Sequence, residues 1–345
     1  MTTPPAPIGT QALALVLMLA GLGGCGPVIV GTEPWAPPDY YAEEHYVEID
    51  GVRICYLEAG PPASSAPPQS QREVETIVFV HGWSGNVQNW WDQFEHFQQR
   101  YHVIVFDAPG HGKSERGDHI DYSMDLYLET LDGLLDEFEL EQVIIVGNSA
   151  GGWAAASYAI AHPERVSKLV LSDSTGTRHV GSVGSILPLL TPRWLQMANL
   201  TSGEHYPGQD PKSRARQEFV VSFEGTVEEK PYLEALAELL PASYERIPPE
   251  MLAQIEAPTL IVWGDDDHIV PIKAMRTFER AIEHDQSYVI HLGGHTPMMN
   301  SPDEFNCVLD SFLDGVALDH CKDYALTIEK RRKRLAGHEW GPRYE

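Results

Sequence analysis

The sequence has few basic residues and few cysteines. It holds 24 Lys and Arg against 50 Asp and Glu, which gives a formal net charge of −26. A surface of that sign repels phosphate backbones, so we expect no nucleic-acid partner. The four cysteines, Cys25, Cys55, Cys307 and Cys321, form no CxxC pair and no Cys/His cluster with zinc spacing. A disulfide between Cys307 and Cys321 requires an oxidising compartment, and the sequence leaves that pairing open.

The N-terminal apolar stretch is too short for a comfortable membrane span. Residues 11–25 read QALALVLMLAGLGGC, which has the length of a signal-peptide core and ends in small residues. The end, LGGC, resembles the bacterial lipobox, in which the cysteine is lipidated and becomes the mature N-terminus. We therefore predict a lipoprotein-like signal peptide over residues 1–24, lipidation of Cys25, and export to the periplasm or cell surface. An uncleaved anchor and an ordinary secretory signal are the alternatives, because the first eleven residues carry no Lys or Arg.

Six apolar runs without polar alternation predict strands that are buried on both faces, as in a parallel sheet covered by helices. Helix-like segments alternate with them over residues 88–100, 124–139, 150–162, 272–284 and 302–314. Before them, residues 45–60 alternate around Asp50-Gly51, which is typical of a β-hairpin. The sequence therefore predicts an α/β fold with a mostly parallel central sheet flanked by helices. The six runs are TIVFVHG, HVIVFDAPGHG, QVIIVGNSAGG, VSKLVLSDS, PTLIVWGDDD and SYVIHLGGH.

One long interval interrupts this alternation. Between residues 176 and 257 no strand-like run occurs, and three segments have helical patterns, which predicts an inserted helical cap. The core then has two parts, 45–175 and 258–316, preceded by a proline-stiffened tether over 25–44. A C-terminal extension covers 317–345 and includes the basic stretch EKRRKRL at 329–335. We interpret that stretch as a solvated tail, with an anionic-lipid contact as the alternative.

The segment Gly147-Asn148-Ser149-Ala150-Gly151 lies between a predicted strand and a predicted helix. A sharp turn there exposes the serine hydroxyl at the sheet edge, and only small residues let the backbone close so tightly. The start of the following helix also favours developing negative charge. We therefore predict that Ser149 is a nucleophile; a plain turn of small residues is the alternative.

A serine hydroxyl becomes nucleophilic when a base takes its proton. His295 is the candidate among 15 histidines, because it lies in a glycine-bearing loop after the last apolar run. His81 is the alternative base. We assign His291 to local packing or binding, His268 to a loop, and His162 to a helix C-terminus.

The histidine in turn needs a carboxylate to fix its tautomer and to stabilise the imidazolium. The acidic triplet that ends the fifth run supplies three aspartates, of which Asp267 is our candidate. Asp266, and Asp173 after the fourth run, are the alternatives.

An oxyanion hole requires two backbone N–H groups that point at the developing charge. We expect one from Ala150, directly after the nucleophile. The other should come from the loop HGWSG after the first run, where Trp83 is the candidate and Ser84 the second choice.

These pieces together resemble the α/β-hydrolase superfamily, in its branch with a helical cap. FVHGWSGNVQNWW, VIVFDAPGHGKS, VGNSAGG, VWGDDDHIVP and GGHTPMMNSPDEF are similar to family blocks and follow the family order over residues 47–316. The resemblance implies the chain order Ser, Asp, His, and its G-x-x-D pattern followed by a nearby proline selects Asp267. Ser149 stands where the epoxide hydrolases and haloalkane dehalogenases of this branch have aspartate, so those activities are not expected.

The meta-cleavage-product hydrolases of this branch carry Gly-Pro-Gly after the HG and a tryptophan after the histidine. This chain has Trp83-Ser84-Gly85 and Thr296 at those places, although its GNS elbow resembles that group. We therefore predict a serine hydrolase that cleaves small carboxylic esters through an acyl-enzyme, without a cofactor or metal. Alternatives are C–C bond hydrolysis of the meta-cleavage type, a membrane-associated lipase or lysophospholipase, and a non-catalytic ligand-binding protein. The sequence does not indicate an oligomeric state.

Overall fold

A computed structural model describes residues 43–61, 74–83, 85–117, 119–177 and 246–324 of the chain. Several sequence predictions fall outside these residues. They are the signal peptide, lipidation at Cys25, nearly all of the tether, most of the predicted cap, the basic stretch 329–335, and Ser84. All of these stay predictions.

The fold begins with the predicted hairpin. Strand β1 (His45–Ile49) pairs antiparallel with strand β2 (Val52–Ala59). The two turn residues, Asp50 and Gly51, have φ values of 49° and 80°. A two-residue loop with positive φ at both positions suits the right-handed twist of a hairpin, and Asp-Gly is a favoured sequence for it.

The six apolar runs form the remaining strands of one sheet within the described residues. The strand order is β1-β2-β4-β3-β5-β6-β7-β8. Pairing is antiparallel between β1 and β2 and between β2 and β4, and parallel from β4 through β8. The predicted α/β fold with a mostly parallel sheet is confirmed. The six strands are β3 (Thr76–Val80), β4 (His102–Phe106), β5 (Val143–Asn148), β6 (Val166–Ser172), β7 (Thr259–Gly264) and β8 (Asp285–Ile290).

The central strands carry no polar alternation because helices cover both faces of the sheet. All five residues of β3 and all six of β5 are buried. Consecutive residues point to opposite faces: Ile144 packs in the hydrophobic cluster on one side and Ile145 in the cluster on the other. Apolar side chains are therefore favoured at every position of these strands.

The helices begin close to the predicted positions and end earlier. Helix α2 starts at Met124, where the Ser123 hydroxyl accepts the Leu126 N–H at 3.1 Å as an N-cap. It ends at Glu137 instead of residue 139, since Glu139 has a φ of 53°, which no α-helix accommodates. The helices are α1 (Trp91–Phe97), α2 (Met124–Glu137), α3 (Ala150–Ala161), α4 (Pro249–Leu252), α5 (Met275–Ala281), α6 (Pro297–Asn300) and α7 (Pro302–Leu313).

The described residues at the two ends of the interval predicted as a cap lie beside each other. The Ile247 N–H donates to the Gly176 carbonyl at 3.0 Å, although these residues are 71 positions apart in the sequence. The described residues on the two sides of this interval therefore meet, as the predicted insertion of a cap between β6 and β7 requires.

The C-terminal part of the described chain is fastened to α7. Cys307 of that helix forms a disulfide with Cys321, which decides the pairing that the sequence left open. Cys321 lies in a 3₁₀ segment, Asp319–Tyr324, and is fully buried. None of the helices within the described ranges has both the length and the apolarity needed to cross a bilayer.

Candidate active site

Ser149 occupies a strained turn between β5 and α3. Its φ and ψ are 55° and −119°, a region that non-glycine residues rarely adopt. The neighbouring glycines allow this turn to pack. A Cβ on Gly147 would lie 2.3 Å from the Gly151 carbonyl oxygen, and one on Gly151 would lie 2.3 Å from the Val80 carbonyl oxygen. Small residues are therefore a steric requirement of the turn, which presents the hydroxyl at the carboxyl edge of the sheet.

Three residues predicted from the sequence meet at this edge. The His295 Nε2 atom lies 2.9 Å from Ser149 Oγ, and its Nδ1 atom lies 2.7 Å from Asp267 Oδ2. The carboxylate accepts a hydrogen bond from the Nδ1–H group, which leaves the Nε2 lone pair facing the serine hydroxyl. The Asp267 side chain is fully buried and the His295 side chain is 16% exposed, so the carboxylate acts on the imidazole with little solvent screening.

The acidic triplet after β7 holds the loop that carries His295. Asp265 accepts hydrogen bonds from the His291 ring at 2.7 Å and from the Leu292 N–H at 2.8 Å. Asp266 accepts the Gly294 N–H at 2.6 Å. Consecutive aspartates therefore fix consecutive parts of one loop, and Asp267 contacts its histidine. His291 binds locally, as predicted, in an exposed pair with Asp265.

The backbone around Asp267 fixes the direction of its carboxylate. Oδ1 accepts the N–H groups of Ile269 at 2.7 Å and Val270 at 3.0 Å, while Oδ2 faces the histidine. The Trp263 indole, fully buried, donates to the Val270 carbonyl at 2.9 Å and anchors the same turn. Three donors therefore hold this buried carboxylate in one orientation, with Oδ2 directed at His295.

His81, the alternative base, is engaged elsewhere. The Ala108 N–H donates to its Nε2 at 3.0 Å, so the ring proton resides on Nδ1, which lies 2.7 Å from the Gly82 carbonyl oxygen. Burial lowers the pKa of His81 to about 4, which keeps the ring neutral. His81 therefore shapes the loop after β3, and His295 is the histidine that contacts the Ser149 hydroxyl.

His111 lies beside His81, with ring centroids 5.2 Å apart. Burial, reinforced by the neighbouring histidine, lowers the pKa of His111 from 6.5 to about 3. Below pH 6.5 the unfolded chain binds a proton at this position and the folded chain does not. The free energy of unfolding should therefore fall as the pH drops from about 6.5 towards 4, by ~1.4 kcal/mol per pH unit for this residue.

We expect His111→Asn to flatten that slope by about this amount, because asparagine does not titrate and its amide replaces the Nδ1–H that meets the Pro109 carbonyl. Urea unfolding at several pH values measures the slope. His268→Asn, at an exposed position, is the control. An unchanged slope in His111→Asn would show that this ring is already protonated in the folded protein.

The predicted oxyanion donors adjoin the serine from two segments. A Cβ on Gly82 would lie only 2.8 Å from the Ser149 Cβ, so the loop after β3 passes directly against the nucleophile position. Trp83 follows Gly82 in that loop. Ala150 begins α3, where N–H groups have no intrahelical acceptor. Trp83 and Ala150 therefore directly follow Gly82 and Ser149, the two residues that approach each other here.

Sequence reasoning gave no role to two polar residues that order the site. The Asn148 side chain donates to the carbonyls of Ser172 and His295, both at 3.1 Å, and joins the end of β6 to the histidine loop. Asp107 accepts the N–H groups of Val87 at 2.8 Å and Lys113 at 2.7 Å and joins two other loops. Their positions at strand ends were visible in the sequence, but their partners are far away along the chain.

Two groups of side chains that are able to bind metals converge within the described residues. In the group of Cys307, His320 and Cys321, the two cysteines form the disulfide and are not available as thiolate ligands. In the other, three N–H groups already occupy the Asp267 carboxylate, and a cation would have to displace them. The groups are Cys307, His320 and Cys321, and Asp173, Asp267 and His295.

The alpha/beta hydrolase fold family model matches residues 75–208 and 192–302 of the chain, well over half of its length. The chain belongs to the alpha/beta hydrolase fold family. The resemblance inferred from the sequence motifs is confirmed for the fold and for the general class, a hydrolase enzyme. The hydrolase is 31% identical over 255 residues to 2-hydroxy-6-oxononadienedioate/2-hydroxy-6-oxononatrienedioate hydrolase 2 of Pseudomonas putida, covering 69% of this chain and 87% of that relative.

Solved structures show the same architecture. The hydrolase is similar to a membrane phospholipase A with a TM-score of 0.67 and 25% identity, covering 89% of this chain and 99% of that one. It is also similar to a meta-cleavage product hydrolase from Pseudomonas fluorescens IP01, with a TM-score of 0.65 and 22% identity over 79% of this chain and 97% of that one. The second likeness is one of fold alone.

Proposed function

We propose that the hydrolase cleaves carboxylic esters of small molecules through a covalent acyl-enzyme on Ser149. The observation that carries this proposal is the connected path of hydrogen bonds from Asp267 through His295 to the Ser149 hydroxyl, at 2.7 and 2.9 Å. A serine hydroxyl aligned in this way with an imidazole nitrogen is the arrangement that acyl transfer requires.

In the proposed reaction, His295 takes the Ser149 proton at Nε2 while Oγ attacks the ester carbonyl carbon. The backbone N–H groups of Trp83 and Ala150 stabilise the negative charge on the former carbonyl oxygen. His295 then gives its proton to the departing alcohol. A water molecule, deprotonated by the same nitrogen, attacks the acyl-enzyme and releases the acid and the free serine. Asp267 stabilises the imidazolium in both halves.

Two observations favour esters over the C–C substrates. Trp83-Ser84-Gly85 replaces the Gly-Pro-Gly expected of meta-cleavage-product hydrolases, and Thr296 replaces their tryptophan after the histidine. In addition, the structural relative that covers 89% of this chain is called a phospholipase A, a name that denotes cleavage of carboxylic esters. A membrane-associated lipase activity falls within the same ester class.

C–C bond hydrolysis is the second candidate, favoured by the P. putida relative at 31% identity and by the Gly-Asn-Ser elbow. A panel of p-nitrophenyl esters of increasing chain length, assayed beside a 2-hydroxy-6-oxo-dienedioate, separates the two. We expect the kcat/KM of the preferred ester to exceed that of the dienedioate at least about a hundredfold. The reverse order would replace ester hydrolysis with C–C hydrolysis as the function. Activity that rises sharply when a long-chain ester forms micelles would identify a lipase.

We propose export and membrane anchoring through lipidated Cys25 on the sequence pattern alone. Incorporation of a labelled fatty acid into the wild-type chain but not into Cys25→Ser is the expected result; equal labelling of both would refute the proposal.

A further inference from the structure

A second buried carboxyl group, that of Asp173, lies behind Asp267. Asp173 directly follows β6, is 0% exposed and has a φ of 45°. One carboxylate oxygen of each aspartate and a ring nitrogen of His295 all lie within 4.8 Å of one another. The reaction proposed above gives Asp173 no part.

Two buried carboxyl groups that lie within 4.8 Å of each other resist ionising together, so we assign one proton to the pair. The hydrogen bonds show which residue carries it. Asp267 accepts two backbone N–H groups and faces the His295 ring. Asp173 accepts one backbone N–H, that of Gly264 at 2.9 Å, and the Ser172 hydroxyl at 3.2 Å. Asp267 thus receives more N–H donors than Asp173 does, and the shared proton belongs on Asp173.

The surroundings of Asp173 agree with this assignment. Among the residues that the structure describes, the titratable groups that cluster with it are Asp267 from the loop after β7 and His295 from the loop after β8. Burial, together with the charge of Asp267, raises the pKa of Asp173 well above its usual range. The Asp173 N–H donates to the Val262 carbonyl at 3.0 Å, so its backbone is fixed to β7, the strand that leads to Asp267.

We propose that Asp173 is a positioning residue, a neutral carboxylic acid that donates a hydrogen bond to Asp267 and holds that carboxylate against His295. A carboxylate with a donor on each side has one favourable orientation, which fixes the imidazole beyond it. The inference rests on the roles proposed for Ser149, Asp267 and His295, but not on the identity of the substrate.

Asparagine at position 173 provides a matched test. Its carbonyl oxygen can accept the Gly264 N–H, its amide can donate to Asp267, and it tolerates positive φ. We expect Asp173→Asn to react with a fluorophosphonate probe at Ser149 within about threefold of the wild-type rate, with the acid limb of the pH profile unmoved. Asp173→Ala lacks the donor, so its labelling should slow by about tenfold to a hundredfold. The apparent pKa of its acid limb should rise, because the Asp267 carboxylate has lost a hydrogen-bond donor and its charge then stabilises the imidazolium more strongly.

Two outcomes would overturn the proposal. In Asp173→Asn, a decrease of about one unit in the apparent pKa of the acid limb would mean that a negative charge had been removed. Asp173 would then be ionised in the wild type. An unmoved pH profile in Asp173→Ala, with only a lower melting temperature, would mean that Asp173 supports the fold alone.

Infrared spectroscopy reads the proton without any turnover. The wild-type protein near neutral pH should show the carbonyl stretch of a protonated carboxylic acid, and Asp173→Asn should lack that band. Absence of the band from the wild type would overturn the inference. Because neither this measurement nor the labelling uses an ester substrate, failure of the proposed ester hydrolysis remains distinguishable from failure of the Asp173 assignment.

Discussion

Replacement of Ser149 by alanine is expected to lower kcat for ester hydrolysis by about six orders of magnitude. The variant lacks the atom that forms the acyl bond, the hydroxyl oxygen that lies 2.9 Å from His295 Nε2. The fold should persist, because alanine is smaller than serine and Ser149 already sits at a positive φ. Initial rates with a p-nitrophenyl ester, measured together with thermal unfolding, test this expectation.

Ser174→Ala is the matched control for this variant. Ser174 is also a buried serine at the carboxyl edge of the sheet, but its hydroxyl donates to the Thr175 carbonyl at 2.9 Å. Its replacement should leave kcat within about threefold of the wild-type value. The Ser174 hydrogen bond contributes on the order of 1 kcal/mol to the stability of the fold and takes no part in forming the acyl-enzyme. A comparable loss in both variants would mean that the edge of the sheet, not the Ser149 hydroxyl, is sensitive to mutation.

Asp267→Asn should reduce kcat by about 10⁴ with little change in structure. The asparagine amide favours the wrong imidazole tautomer and does not stabilise the imidazolium, an effect of this size when the acid of a serine–histidine pair is neutralised. The loss should appear in kcat far more than in KM, because Asp267 acts through His295 and not on the bound substrate.

The neighbouring aspartate supplies the comparison for Asp267. Asp266 accepts the Gly294 N–H through Oδ1, and asparagine retains that acceptor. Asp266→Asn should therefore keep activity within about tenfold of the wild type. If Asp266→Asn loses as much as Asp267→Asn, the triplet acts only as a clamp on the histidine loop, and the assignment of Asp267 is wrong.

The parts of the fold that follow from local pattern were predictable from the sequence. Strands that are buried on both faces need apolar residues at every position, so uninterrupted apolar runs predict β3 and β5. The pair Asp50-Gly51 predicts the hairpin turn. Helix ends were less predictable. Residues 88–100 were predicted as one helix, but a 3₁₀ turn, Val87–Trp90, precedes α1, which ends at Phe97. The choice between 3₁₀ and α geometry depends on packing that the sequence pattern does not encode.

The location of the site was predictable for a similar reason. Parallel strands end at one edge, so residues after β5, β7 and β8 had to meet, and Ser149, Asp267 and His295 do. The supporting contacts were not predictable. The sequence offered Asp173 as an alternative to Asp267, whereas the structure places it beside Asp267, with one oxygen of each carboxyl group within 4.8 Å. The sequence pattern does not encode the proximity of two residues that lie 94 positions apart.

The central claim, a covalent intermediate on Ser149, is tested most directly by rapid-quench mass spectrometry. A p-nitrophenyl ester with a bulky, slowly hydrolysed acyl group is mixed with the enzyme and quenched in acid within the burst phase. The account predicts a gain of one acyl mass per chain, mapped to the peptide that contains Ser149, with one equivalent of p-nitrophenolate released in the burst. Steady turnover without a burst or an adduct, or an adduct on another residue, would contradict it.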